Sequence, residues 1–367
     1  MDWLLYSDIR IKKGREKGAL YGWKNLNNGS FPFIYSEITG YAITCFCWIA
    51  SQLGNQVSLE AAIEASDWII RNMHSNLLVA RLPTSSNKPI DLSNLFYSFD
   101  NSMILIGLLS LYKLTKKDHL LRLAEKMTEA LIDRFFDGEK LIPRLDNSFK
   151  PIKPSREKGM LKWSTIAGPY HCKSSIGLLE LSRLTNNQKY VRISDSLCDY
   201  AKRLQKSNGQ FITNPGSDVV YLHPHLYACE GLIYSGVKQS NESHYNAGLN
   251  GIRWAMKHIS LRNGGLFRET GEDPVEQSDC TAQLLRLLIL CQRQLEKSIK
   301  RCELSYVIER LHLRLLDFYI PAGEAQGAMN YQIAEDTACS WCTMFSMQAL
   351  NLWETKDSHP NWLDYFV

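Results

Sequence analysis

Asp100, His171, His225, Asp279 and Asp336 each stand at or near the front of an apolar stretch, with further acids at Glu276 and Glu335. Carboxyl and imidazole groups can carry protons to and from a reacting molecule, and two such groups in different protonation states make an acid–base pair. Helix starts favour the anionic carboxylate, so an acid that donates a proton must be buried or placed beside another carboxylate. Acids at such positions are more often caps or dipole partners, and a histidine there can simply hydrogen-bond within the wall. Glu37 is harder to dismiss, because it lies inside the stretch beginning SEIT, where an enclosed carboxylate requires a partner or a function. The thiols admit another chemistry: Cys172, Cys280 and Cys339 follow these positions closely, and Cys339 with Cys342 forms CSWC. Zinc needs three or four converging ligands, and CSWC has no second CxxC beside it, so neither a metal nor another cofactor is expected.

These positions recur with a period. HCKSSIGLLEL from His171 and HLYACEGLIYSGV from His225 both carry a glycine six residues on, Gly177 and Gly231. NSMILIGLLSLYKL from Asn101 has Gly107 at the same offset, and YSEITGYAITCFCW from Tyr35 has Gly40 one residue earlier. DCTAQLLRLLILC from Asp279 and DTACSWCTMFSMQAL from Asp336 complete a series of six starts separated by 66, 70, 54, 54 and 57 residues.

Each segment but the last is followed by a one-sided helical stripe, such as Tyr190, Ile193, Leu197, Tyr200 and Leu204. Equivalent stripes run from Leu59 to Met73, Leu120 to Phe135, Tyr245 to Ile259 and Leu304 to Phe318. The first helix of each pair is apolar on more than one face and carries small residues, as an enclosed helix requires, whereas the second belongs outside. Six helical hairpins in two concentric rings make an all-α fold, an (α/α)6 toroid over residues 1–367, with no linker to divide the chain. The sixth hairpin lacks an outer helix, which Trp3 to Ile9 or the tail ETKDSHPNWLDYFV could supply. The six starts should then gather on one rim, with Gly107, Gly177 and Gly231 allowing close helix approach.

Composition is that of an ordinary globular chain, 45% hydrophobic and 22% charged. The net charge of +4 is dispersed, which argues against nucleic acid as the main partner. The opening MDWLLYSDIRIKKGREKG mixes acids with bases and has no sustained apolar run, so neither a signal peptide nor membrane insertion is expected. Ten cysteines in that setting read as reduced thiols of a cytoplasmic protein. The oligomeric state is left open.

The repeat pattern resembles the six-hairpin glycosidase-like (α/α)6 toroids, which include unsaturated glucuronyl hydrolases, other glycoside hydrolases, and relatives of sugar epimerases and polysaccharide lyases. FYSFDNSMILIGLL, residues 96 to 109, is similar to the aromatic-then-Asp-Asp-x-x-Met opening of a catalytic inner helix in the glucuronyl hydrolases. Asp100 matches the first acid and Met103 the methionine, while Asn101 stands where the second acid would be. The resemblance implies a saccharide substrate and a glycoside hydrolase, with Asp100 as one carboxyl and Asp279 or Asp336 as the other. The loops NGQFITNPGSDVVYLHPH, NGGLFRETGEDPVEQSD and GAMNYQIAEDTACSW mix glycine, aromatics and acids, a composition suited to sugar faces and hydroxyls. Candidate binding residues are Tyr35, Glu37, Asn101, Trp163, Tyr170, His171, Tyr221, His225, Arg268, Glu276, Glu335 and Trp341, with Tyr227 a further stacking ring. Alternatives are a sugar epimerase or uronate lyase using His171 and His225, a non-catalytic glycan-binding protein, and a zinc-dependent cyclase-like enzyme.

Overall fold

The computed structural model describes residues 1–84, 94–157, 160–271, 274–333 and 335–355. After a short α1 (Asp2–Tyr6), helices follow in pairs: α2 (Ser36–Leu53) with α3 (Gln56–Asn72), and α4 (Ser98–Thr115) with α5 (Asp118–Phe135). The third pair begins with a 3-10 turn, Pro169–Ser174, that runs into α6 (Ser175–Thr185) and is followed by α7 (Gln188–Arg203). Then come α8 (Leu222–Lys238) with α9 (Glu242–Met256), and α10 (Ser278–Leu290) with a short α11 (Gln292–Leu295) and α12 (Arg301–Leu316). The last inner helix is α13 (Ser340–Glu354).

Amphipathicity sorts these helices as expected. Along α2, residues 36 to 49 are buried without a break, and along α4 so are residues 98 to 109, whereas α7 buries one stripe that includes Tyr190, Ile193 and Leu197. The inner helices α2, α4, α6, α8, α10 and α13 touch in turn, and α13 touches α2. The ring is closed, and the fold is an (α/α)6 toroid.

Short antiparallel strands lock one end. β2 (Phe33–Tyr35) pairs with β3 (Arg81–Pro83), and β4 (Phe96–Tyr97) with β5 (Arg144–Leu145), so that the chain leaving each outer helix returns to the strand ahead of its inner partner. β6 (Arg156–Glu157) pairs with β7 (Met160–Leu161). β9 (Thr337–Cys339), ahead of α13, pairs with β8 (Met329–Asn330) and also with β1 (Trp23–Asn25), which follows α1. That second pairing places α1 in the connectivity of a sixth outer helix. Its Trp3, Leu4 and Leu5 are buried, and Trp3 approaches Gly327 beyond α12. The tail from residue 356 lies outside the described residues.

One hydrogen-bond pattern recurs at this end. The first backbone N–H of α2, α4, α8, α10 and α13 (at Ser36, Ser98, Leu222, Ser278 and Ser340) donates to the carbonyl of Ala80, Pro143, Arg268, Tyr331 and Gly22 respectively. The fourth residue of the same helices (Thr39, Asn101, His225, Thr281 and Thr343) accepts the backbone N–H of Leu20, Leu78, Phe211, Leu266 or Met329. These polar groups therefore anchor loops to the ring.

Close packing makes the inner ring narrow. A Cβ on Gly107 would stand 2.6 Å from the Gly40 carbonyl oxygen, one on Gly40 2.8 Å from the Ile104 Cα, and one on Gly231 would collide with the Cys172 carbonyl. At Gly177 the neighbours are the side-chain atoms of Leu105, at 3.0 and 3.2 Å. Backbone cannot yield as a leucine can. Gly231→Ala is therefore expected to destabilise the protein by about 1–3 kcal/mol, and Gly177→Ala by distinctly less, as read by urea unfolding midpoints. Equal shifts would remove backbone contact as the limiting factor.

Candidate functional site

The N-terminal ends of the inner helices and the strands before them enclose a cavity of about 560 Å³. Its walls are set by the second residue of five of the six inner helices. Glu37 (α2), Phe99 (α4), His223 (α8), Asp279 (α10) and Trp341 (α13) occupy that register, and all five line the cavity. Asp100, Tyr35, Tyr41, Arg81 and Tyr227 add to it, and Trp163 and Tyr170 pack edge to face at 5.1 Å on one side.

Two polar clusters face each other across the ring. On α2 and α4, the Tyr35 hydroxyl donates to Glu37 Oε2 at 2.6 Å, and the Arg81 guanidinium lies 4.0 Å from the Tyr35 ring centre, brought there by the β2–β3 register. Burial, and then the neighbouring Glu37, push the Asp100 carboxyl well above its ordinary range, with Arg81 opposing. Asp100 Oδ2 meets no hydrogen-bond partner among the described residues. The surroundings of Asp100 therefore favour its protonated form.

The second cluster is carried by α8 and α10, which stand opposite α2 and α4 in the order of six. Asp279 Oδ1 accepts the Cys280 N–H at 2.7 Å, and Oδ2 accepts the Trp341 indole N–H at 3.0 Å. His223 Nδ1 lies 2.7 Å from Gln283 Oε1 and 3.6 Å from Asp279 Oδ2. His223, Asp279 and Cys280 each bring one potential ligand atom to within 4.8 Å of the others. Cys339 and Cys342 belong to no such group among the described residues.

Beneath the cavity lies a buried ionic cluster. Lys173 Nζ is 2.8 Å from Glu230 Oε2, Arg286 is 2.7 Å from Glu230 Oε1, and Arg286 also donates to Gln348 Oε1 at 2.6 Å. All three ionic side chains are fully buried. Burial lowers Lys173 to about 8 despite the pull of Glu230. Burial would raise Glu230, but Lys173 and Arg286 outweigh it and hold the carboxylate down. The Tyr227 ring, 4.3 Å from Lys173 Nζ, separates this cluster from the cavity, and the Tyr41 hydroxyl donates to that of Tyr227.

Of the residues singled out in the sequence, Tyr35, Glu37, Asp100, Trp163, Tyr170, Tyr221, Arg268, Asp279, Glu335 and Trp341 reach the cavity. Five do not. Asn101 is buried behind Asp100, donating to the Tyr97 and Leu78 carbonyls while accepting the Leu78 N–H, so it is a loop anchor rather than a site residue. His171 accepts the Gly168 N–H and meets Ser98 Oγ at 3.2 Å, and His225 accepts the Phe211 N–H and donates to the Gly251 carbonyl at 2.9 Å. Burial lowers them to about 3 and about 4, and neither lines the cavity, so they cannot exchange protons with a substrate there. Glu276 is turned to Arg314 of α12, at 2.5 and 2.8 Å. Asp336 is exposed in the loop before β9, where it accepts from Asn27 at 2.8 Å. The start assigned to the last repeat lies four residues ahead of its helix. His223, Arg81, Tyr41 and Gln283 were not among the candidates, although His223 lies in the quoted loop leading to His225.

The glycosyl hydrolase family 47 model matches residues 100–222. No curated protein matches the chain. Among known structures, a sugar epimerase from a ruminal bacterium is similar over 98% of both chains, with a TM-score of 0.77 and 12% identity. A cellobiose 2-epimerase from Bacillus thermoamylovorans aligns over 95% of this chain and 97% of its own, with a TM-score of 0.73 and 12% identity. An unsaturated glucuronyl hydrolase from Bacillus sp. GL1 aligns over 91% of both, with a TM-score of 0.65 and 12% identity. The chain thus has the (α/α)6 architecture of carbohydrate-active enzymes. No helix among the described residues is long and apolar enough to cross a membrane.

Two outcomes are expected. Glu37→Gln removes the second cause of the Asp100 shift and lowers its pKa, but not to the ordinary value because burial remains; a carbon-13 titration of the Asp100 carboxyl would measure this. His171 and His225 stay neutral when folded but titrate near 6.5 when unfolded. Between about 6.5 and 4 the unfolded chain therefore binds more protons, and stability falls with falling pH. His171→Gln should reduce that uptake by about one proton, measured from the pH dependence of urea unfolding.

Proposed function

We propose that the protein is a saccharide-processing enzyme of the glycoside hydrolase type, in which Asp100 is the general acid. The observation that carries this reading is the Asp100 carboxyl in the cavity, pushed well above its ordinary range by burial and by Glu37, with one oxygen left without a partner among the described residues. A glycosidic leaving oxygen needs such a donor, because departure of an alkoxide is otherwise slow. Glu37 stabilises the proton on Asp100, and Arg81 limits the negative charge that forms once it is given up. On the opposite wall, His223 and Asp279 form the basic side, able to take a proton from an attacking water. Phe99, Trp163, Tyr170, Tyr227 and Trp341 offer aromatic faces for the C–H side of sugar rings.

The imidazole supports one further reading, proton exchange at a sugar carbon between His223 and Asp100, in place of His171 and His225. The same assay separates the two. A saturated oligosaccharide is incubated in deuterated water, and both reducing ends and ring deuterium are followed. Hydrolysis gives new reducing ends without deuterium on carbon; epimerisation gives the converse.

Asp100→Asn should lose about 10²- to 10⁴-fold in turnover, whereas His171→Gln, remote from the cavity, should stay close to the parent. Activity should also fall as pH rises through the elevated pKa of Asp100, because the protonated acid is the working form. Near-normal turnover by Asp100→Asn would overturn the assignment of the acid.

A further inference from the structure

His223 has two ring nitrogens, and a base in the cavity needs the lone pair on the one that faces substrate. Gln283 decides which nitrogen that is. Its Oε1 lies 2.7 Å from His223 Nδ1, and its Nε2 donates to Glu230 Oε1 at 3.4 Å. Turning the amide over would set its oxygen against the Glu230 carboxylate and its N–H₂ against the imidazole. Glu230 cannot turn away, since Lys173 and Arg286 hold its two oxygens at 2.8 and 2.7 Å with no exposure to water. A carbonyl oxygen only accepts, so Nδ1 must donate. Asp279 Oδ2, 3.6 Å from the same Nδ1, is a second acceptor on that side.

We propose that the Glu230–Gln283 pair is a positioning device that holds His223 as the Nδ1–H tautomer and leaves Nε2 as the base in the cavity. The proposal rests on the reading of His223 as the basic group. It extends that reading by assigning Gln283 and Glu230, which do not touch substrate, a role in setting the state of a residue that does. The buried cluster also has a net charge of +1 when its three members are ionised. Gln283→Glu keeps an acceptor against Nδ1 and, with its other oxygen protonated, can still donate to Glu230.

The test is long-range proton–nitrogen correlation of the full-length protein labelled with nitrogen-15 histidine, the His223 signals being those lost in His223→Gln. The neutral imidazole of the wild type should show a protonated Nδ1 and an unprotonated Nε2. Gln283→Glu should keep this pattern. Gln283→Met should shift His223 towards the Nε2–H form and lower kcat about ten- to hundredfold with KM little changed. An Nε2–H tautomer in the wild type overturns the proposal without need of any substitution. So does an unchanged tautomer in folded Gln283→Met. An Nδ1–H tautomer in a protein that turns over no saccharide keeps the positioning role and removes the hydrolase reading instead.

Discussion

The ion cluster of Lys173, Glu230 and Arg286 sits at the axis of the ring, and the rest of the inner architecture depends on it. Six helices packed in a circle converge on a centre too confined for bulk water. Lys173 comes from the turn ahead of α6, Glu230 from α8 and Arg286 from α10, while Gln348 of α13 accepts from Arg286. Four of the six inner elements are thereby tied to one carboxylate. Such groups lose several kcal/mol each on leaving water, and the loss is recovered only when every partner is in place. Their geometry is therefore as constrained as that of any apolar contact in the core. Tyr227 and Tyr41 lie above Lys173, so the floor of the cavity is a pair of phenol rings resting on a buried cation.

Above that floor the same few positions of five of the six inner helices perform the same tasks. The second residue faces the axis, and the fourth holds the loop from the preceding outer helix. This division explains why Asp100 and Asn101, adjacent in sequence, separate into an acid of the cavity and an anchor behind it. It also explains the two histidines of α8. Residues two apart on a helix point about 200° away from each other, so His223 meets the cavity when His225 meets the outer layer.

The two sides of the cavity differ in how their protonation is set. Asp100 is governed by its own surroundings, burial first and Glu37 next. His223 is linked through Gln283 to the axial cluster, so the elements that hold the ring together also reach the site. Fold and chemistry share the same buried charges.

Much of the architecture was legible in sequence because an outer helix writes its position as a one-sided stripe. The stripes at Leu59–Met73, Leu120–Phe135, Tyr245–Ile259 and Leu304–Phe318 fall on α3, α5, α9 and α12 with small differences at the ends. The glycines at 107 and 231 marked real backbone contacts. Asp100, Glu37 and Asp279 could be found because carboxylates in apolar stretches are costly without a partner. The phase of the inner helices was another matter. A helix buried on every side carries no stripe to show which residue faces the axis, so its sequence does not separate Ser340 from Asp336 as the start of the last repeat, or mark His223 as the cavity residue of α8. Arg81 and Gln283 gave no signal at all, since their roles come from a strand register and from the packing of α10 against α8. Sequence alone determined that there would be a ring of helical hairpins and that acids would lie at one end. Only the tertiary structure decided which acids share a cavity, because rotation about a fully enclosed helix is set by its neighbours and not by its own pattern.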